Sequence, residues 1–322
     1  MKPVFASAAF CLGLLLPMTA ASAGDEPVRF CITADNKGRS GFVGVAEAIH
    51  DLPGGPGRFM VSVGDFRPPD KTREQLDRVF GASFVWYPVV GNHEALHKDN
   101  RDSEEAMAYL RDYFDRHIKP IARPGPGGCE KTTYSFDAGP VHIAVINEYW
   151  DGKARPDSDG KLDGNVVGPL RRWLAADLES TDRPWKLVVG HEPAYPQEDK
   201  DWDSDRHATS SLNKYRENRD AFWKVLEDNA VAAYLCGHTH RYSRFRPPGS
   251  RVWQIDAAQA RGSLTSWKYD AFLIVAADRR ELKFDAYRSL RRRLRFDLTD
   301  SLTLKASAPA TQPAPRASGA AP

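Results

Sequence analysis

The chain has 322 residues, and 45 Lys and Arg set against 43 Asp and Glu leave a formal net charge of +2. That balance gives no electrostatic reason to expect a nucleic acid or an anionic membrane as partner. Hydrophobic residues make up 41% of the chain and no Gly/Ser-rich linker divides it, so residues 24–305 are expected to form one large domain.

The first segment, MKPVFASAAFCLGLLLPMTAASAG, sets Lys2 before an apolar run from Val4 to Leu16 and then Ala21-Ser22-Ala23. This order describes a secretory signal peptide over residues 1–23, cleaved after Ala23, and hence a periplasmic or secreted protein. The run is shorter than the roughly 20 residues a spanning helix needs, so no membrane span is expected after cleavage. Phe10 stands where a lipoprotein signal has a small residue, which argues against a lipid anchor on Cys11. Cys31, Cys129 and Cys236 then remain, enough for at most one disulfide, and no pair has the spacing of a zinc-thiolate site.

Further along, five apolar runs each end in a small residue followed at once by a candidate ligand. They are VRFCITAD ending at Asp35, RFMVSVGD at Asp65, FVWYPVVGN at Asn92, WKLVVGH at His191 and AVAAYLCGH at His238. Each is short, rich in β-branched or aromatic residues and without alternation, as expected of strands buried on both faces. Between the runs, Arg73 to Phe80, Ser103 to His117, Leu170 to Leu178 and Asn218 to Asp228 have helical spacing. Strands alternating with helices predict an α/β fold. His142 alternates within Val141-His142-Ile143 and reads as a structural strand residue, while His50, His97 and His117 stand in helical or loop contexts without a partner motif. The basic run Arg291, Arg292, Arg293 and Arg295 interleaves with Leu294, Phe296 and Leu298, as on a solvated strand face. Residues 306–322 are rich in Ala, Pro and Ser and read as a disordered tail.

In open α/β sheets a ligand binds beyond the carboxyl ends of the strands. Asp35, Asp65, Asn92, His191 and His238 all stand there, and His240 follows closely. Glycines 64, 91, 190 and 237 would let the chain turn sharply off each strand. Carboxylate, amide and imidazole donors without thiolate suit Mn, Zn or Fe.

The segments Asp35-Asn36-Lys37-Gly38, Gly64-Asp65, Gly91-Asn92-His93-Glu94, Gly190-His191-Glu192-Pro193 and Gly237-His238-Thr239-His240 resemble the motifs of the calcineurin-like metallophosphoesterases, a superfamily that includes purple acid phosphatases. The resemblance runs from about Phe30 to Gly262. It implies a four-layer α/β/β/α sandwich of two mixed sheets flanked by helices. It also implies that Asp65 bridges two metal ions, with Asp35 and His240 on one and Asn92, His191 and His238 on the other. His93 would contact the phosphoryl group and act as general acid or electrostatic stabiliser. The implied activity is hydrolysis of a small-molecule phosphate ester by in-line attack of a metal-activated hydroxide at phosphorus.

One position departs from the family pattern, which has a histidine ligand where this chain has Lys37. A tyrosine three residues after the bridging aspartate, as in purple acid phosphatases, is replaced by Pro68. Lys37 therefore puts the first metal position in question and is a candidate contact for a phosphate oxygen. His207 and Tyr195, in the long segment after His191, are candidates to line the pocket. Two other readings follow. One is a phosphodiesterase or nucleotide hydrolase, for which Tyr195, Trp202 or Trp253 would stack on a base. The other is a phosphate- or partner-binding protein with one metal site lost and no turnover.

Overall fold

A computed structural model of the chain describes residues 26–95, 103–119, 121, 123–153, 163–198, 207–262, 269–289 and 294–306. The expected signal sequence (1–23), His97, Trp202, Arg291, Arg292, Arg293 and the tail from Ser307 onward lie outside these residues.

In chain order the first half runs β1 (Val28–Thr33), α1 (Phe42–His50), β2 (Phe59–Ser62), α2 (Pro69–Phe80), β3 (Val85–Pro88), α3 (Asn92–Ala95), α4 (Ser103–His117), β4 (Arg123–Pro124), β5 (Tyr134–Ala138) and β6 (Val141–Val145). The second half runs α5 (Gly168–Glu179), β7 (Trp185–Val189), a 3-10 turn (Leu212–Tyr215), α6 (Arg216–Asp228), β8 (Ala233–Cys236), β9 (Tyr242–Phe245), β10 (Trp253–Ala257), β11 (Ala271–Ala277), β12 (Glu281–Ser289) and β13 (Phe296–Lys305). All five apolar runs form strands. β1, β2 and β3 pair in parallel through the crossovers α1 and α2, and β6, β7 and β8 repeat the arrangement with α5 and α6. The antiparallel strands β11, β12 and β13 complete a six-stranded sheet of order β13-β12-β11-β1-β2-β3. The second sheet has order β4-β5-β6-β7-β8-β10-β9.

The two mixed sheets pack face to face, which explains why the central runs do not alternate. Phe59 on β2 and Tyr87 on β3 reach Phe136 on β5 of the other sheet, edge-on at 5.5 Å and stacked at 3.7 Å between ring centroids. The intervening Trp86 points the opposite way, 5.2 Å from the Phe66 ring and 6.4 Å from that of Tyr113 on α4. On the far face of the second sheet, Leu170, Leu174 and Leu178 of α5, four residues apart, join Phe222 and Leu226 of α6 against Val188 and Tyr234. Helices thus cover both outer faces, as the resemblance implies.

Three details differ from the sequence reading or complete it. Helix α1 has few local signals in the sequence, since Gly41 offers no side-chain cap and Gly44 interrupts the helix-forming residues, although Phe42, Val45, Ala46 and Ile49 have amphipathic spacing. Gly44 is needed there because a Cβ would lie 2.3 Å from Leu294 Cδ1. Of the basic run only Arg295 is described, and it directly precedes β13, the solvated strand on which Phe296 and Leu298 lie; Leu298, beside a register shift in the β12–β13 pairing, is 52% exposed. Cys31, Cys129 and Cys236 are buried free thiols, small core residues in effect.

Candidate metal centre

Parallel strands direct their carboxyl ends to one edge of the sheet, and two parallel units packed together bring those edges to a common crevice. Asp35 follows β1, Asp65 follows β2, Asn92 opens α3, His191 follows β7, and His238 and His240 follow β8. Asp35, Asp65, His238 and His240 have φ of 54°, 56°, 68° and 61°. A non-glycine residue in that region carries a strain of order 1–3 kcal/mol, so the surrounding structure holds these side chains against their backbone preference. Of the glycines before the ligands, Gly64 alone has a positive φ, of 76°. Close approach between loops accounts for the others: at Gly91 a Cβ would sit 2.5 Å from Asp65 Oδ1, and at Gly190 2.1 Å from Glu148 Oε1.

The imidazole of His191 donates from Nδ1 to the Val63 carbonyl at 2.8 Å, which leaves the Nε2 lone pair facing the site. That lone pair lies 3.2 Å from Asn92 Oδ1 and 3.5 Å from Asp65 Oδ1, and His238 Nδ1 is also 3.2 Å from Asn92 Oδ1. Either a proton on the imidazole nitrogens or a metal ion between the atoms makes such contacts favourable, and a metal ion engages all four groups at once. Spacings of 3.2–3.5 Å match donors held about 2.0–2.2 Å from a shared ion. Asp65, Asn92, His191 and His238 therefore fit a divalent metal.

The neighbouring group behaves differently. Ligand atoms of Asp35, Asp65 and His240 lie within 4.8 Å of one another, and His240 Nε2 is 2.9 Å from Asp35 Oδ1. Two cations of the chain already address them. Lys37 Nζ sits 3.1 Å from Asp65 Oδ2 and donates to His93 Nε2 at 2.7 Å. Arg261 donates from Nη2 to His240 Nε2 at 2.7 Å and from Nε to the Asp35 carbonyl at 3.0 Å. The donor types suit a second metal, but their partners are protein cations.

The electrostatics follow from this crowding of acids. Burial alone would pull the His191 imidazole down, yet the charges of Asp65 and Asp35 push it up to about 9. Burial likewise opposes ionisation of Asp35, but His240, His191 and Lys37 outweigh it and hold the carboxyl well below the usual range. The other two imidazoles go the opposite way, because burial pulls His238 down and His240 down to about 4, which keeps both rings neutral.

A further ring of residues, to which the sequence reading gave no role, fixes the ligands. Glu94 Oε2 accepts from the Asp65 and Gly91 amides at 2.7 and 2.8 Å, and Oε1 from Arg67 N at 2.9 Å, tying together the loops after β2 and β3. Burial and the Asp65 charge push its pKa up to about 7. Glu148 Oε2 accepts from the His191 and Glu192 amides at 3.0 and 2.8 Å, and Tyr234 donates to Oε1. Asp256 accepts from the Thr239 hydroxyl at 2.7 Å, holding the loop between His238 and His240. Glu94 adjoins His93, and Glu148 closes a sixth apolar run, VHIAVINE, so a signal for both existed. Nothing local marks Arg261.

The remaining candidates divide. The His207 ring packs 4.1 Å from that of His238, at the rim of the centre. Tyr195 instead packs edge-on to Trp223 at 5.0 Å with the Arg219 guanidinium over its ring, and Trp253 carries Arg244 and Arg246 on its ring. Those partners already cover the rings that a base would need. His142 is buried between Asp137 and Asp177, a structural role as expected. His50 and His117 end α1 and α4.

Residues 28–242 match the family model for the calcineurin-like phosphoesterases. The chain belongs to that family. This calcineurin-like phosphoesterase is 30% identical over 172 residues to an acid phosphatase of Aspergillus ficuum, an alignment covering 42% of this chain and 26% of the relative. It is 27% identical over 170 residues to purple acid phosphatase 21 of Arabidopsis thaliana, covering 50% and 31%. These alignments span between 26% and 31% of the relatives' own lengths. Among solved structures, PhoD superposes with a TM-score of 0.61 at 11% identity, over 89% of this chain and 71% of that one, a likeness of fold.

Proposed function

We propose that this phosphoesterase is a metal-dependent hydrolase of small phosphate esters. The observation that carries the reading is the convergence of carboxylate, amide and imidazole atoms from Asp65, Asn92, His191 and His238 at contacts of 3.2–3.5 Å, a donor set that suits a divalent cation. Asp65 also faces the Asp35 and His240 group and would be shared between two metal positions, of which the one beside Lys37 and Arg261 would hold metal more weakly. Mn, Zn or Fe suits these donors.

A divalent ion bound there supplies Lewis acidity toward phosphoryl oxygens and lowers the pKa of water. The chain's own residues do the rest. Lys37, 19% exposed in its side chain, reaches a phosphoryl oxygen at the mouth of the site. His93 Nε2, 3.6 Å from Asp65 Oδ2, stands where a leaving oxygen needs a proton. In the resting site Lys37 donates to that nitrogen. A phosphoryl group that takes over the lysine's hydrogen bond frees Nε2 to carry the proton. Glu94, Glu148 and Asp256 keep the ligand loops from relaxing.

Residues 24–305 are proposed as one catalytic domain and residues 1–23 as an export signal giving a periplasmic or secreted enzyme. Among the described residues no helix is long and apolar enough to cross a membrane.

The test is hydrolysis of p-nitrophenyl phosphate and bis(p-nitrophenyl) phosphate by chelator-treated protein, with Mn, Zn or Fe added back in turn. Metal-restored turnover of either supports the reading, and their ratio separates monoesterase from diesterase. Metal binding with no turnover of either ester under any ion would leave a binding protein instead.

A further inference from the structure

Beside the metal centre lies a cavity of about 370 Å³, lined by Lys37, Gly38, Arg39, Ser40, Arg67, Lys71 and His93. It opens from the centre itself, because Lys37 and His93 stand within 3.1 and 3.6 Å of Asp65. On the reading above, Lys37 and His93 would face the phosphoryl group being cleaved. Arg39, Arg67 and Lys71 are further cations, and no side chain among the described lining residues is acidic. In a chain whose net charge is only +2, four full positive charges around one small cavity repel one another. No lining residue is aromatic apart from His93, so the cavity offers no platform for a nucleobase.

The cradle is also fixed in shape. Asn36 Oδ1 accepts from the Gly38 amide at 2.8 Å and the Thr72 hydroxyl at 3.2 Å, which pins the loop after β1 to α2. Gln75 of α2 donates to the Arg39 carbonyl at 2.9 Å, and Lys37 N donates to the Asp65 carbonyl at 2.7 Å. Gly38 packs so closely that a Cβ would meet the Arg67 carbonyl at 3.0 Å. The loop bearing Lys37 and Arg39 therefore keeps a set position against the helix bearing Lys71, so little ordering is required when an anion arrives.

We propose that this cavity is a subsite for a second phosphate, and that the substrates are small esters carrying at least one phosphoryl group besides the one cleaved. The proposal rests on the phosphoesterase reading above. A guanidinium such as that of Arg39 offers a planar fork suited to two oxygens of one phosphate, and Lys71 adds a point charge.

The probes are propane-1,3-diol bisphosphate and propyl phosphate, which both release a primary three-carbon alcohol and differ in whether that alcohol carries a second phosphate. With metal-loaded protein, KM for the bisphosphate is expected to be lower by about 10- to 100-fold, the range for charge-assisted hydrogen bonds. The variant Arg39→Gln/Lys71→Gln should shrink that ratio at least several-fold, and rising salt should erode it. Equal KM values in the wild type, or an unchanged ratio in the variant, would overturn the proposal. If neither ester is turned over, the phosphoesterase reading fails first. Calorimetric binding of the bisphosphate to the wild type and the variant still decides the subsite: weaker binding by the variant supports it, and equal binding rejects it.

Discussion

The ammonium of Lys37 lies 3.1 Å from Asp65 Oδ2, a carboxylate whose other oxygen lies 3.5 Å from His191 Nε2 in the acceptor cluster. One carboxylate thus faces a protein cation on one side and a cluster suited to a metal ion on the other. At an effective dielectric of about 20, a unit charge about 4 Å away repels each charge of an incoming ion by about 4 kcal/mol. The position beside Lys37 should therefore hold metal weakly. Purified protein is expected to retain about one tightly bound ion per chain, with a second taken up only at raised metal concentration. Lys37→His replaces the ammonium by a neutral nitrogen donor and should tighten the second uptake. Elemental analysis and metal titration calorimetry read both, and two equally tight ions in the wild type would refute the assignment.

Asp65 and His93 should separate binding from chemistry. Asp65→Asn removes the carboxylate common to both positions and is expected to abolish hydrolysis and lower metal content together. His93→Ala leaves the cluster of Asn92, His191 and His238 intact, so metal content should stay near wild type while turnover falls by roughly 10²–10⁴-fold. A His93→Ala protein stripped of metal would show that the imidazole holds the site and does not act on substrate.

Glu94 is a stability prediction. Its carboxylate is fully buried and accepts from three backbone amides on two loops. Glu94→Ala leaves those donors buried without a partner, at about 1–3 kcal/mol for each. A loss of roughly 3 kcal/mol or more is expected in denaturant unfolding of the metal-free protein. A loss below about 1 kcal/mol would mean that water replaces the carboxylate.

His142 gives a pH dependence away from the metal centre. Its Nδ1 lies 2.7 Å from Asp137 and its Nε2 2.8 Å from Asp177. Burial would lower the imidazole pKa, but hydrogen bonds to and charges on the two aspartates raise it above 6.5. A raised folded-state pKa contributes stability that is complete below about 6.5 and fades as pH climbs through the folded value. Asp137 acts at the other end: burial notwithstanding, His142 and Arg183 lower its pKa below 3.8, so its share is lost as pH falls through the folded value. Urea unfolding should show His142→Gln to be most costly below about pH 6.5 and progressively less so as pH rises through the raised folded-state value. A cost independent of pH would show that the imidazole stays neutral and merely fills space.

The sequence by itself determined the strands, the family and the set of polar residues that the fold brings to one crevice. Those signals are local: an apolar run without alternation must be buried on both faces, and a polar residue just past its end must emerge at the sheet edge, whatever the rest of the chain does. Asp35, Asp65, Asn92, His191 and His238 could be read in this way, and the four main helices by their spacing. Helix α1 was harder to see because its Gly44 is chosen by contact with Leu294, a residue far along the chain, and not by helix propensity. Only the tertiary structure decided what surrounds the ligands. Arg261 reaches His240, and Lys71 joins Lys37 and Arg39 around one cavity, because separate loops meet at the edge shared by two sheets. Such meetings leave no periodicity in the sequence, since their energy comes from charges brought together through space by the packing of Phe59, Tyr87 and Phe136 between the sheets.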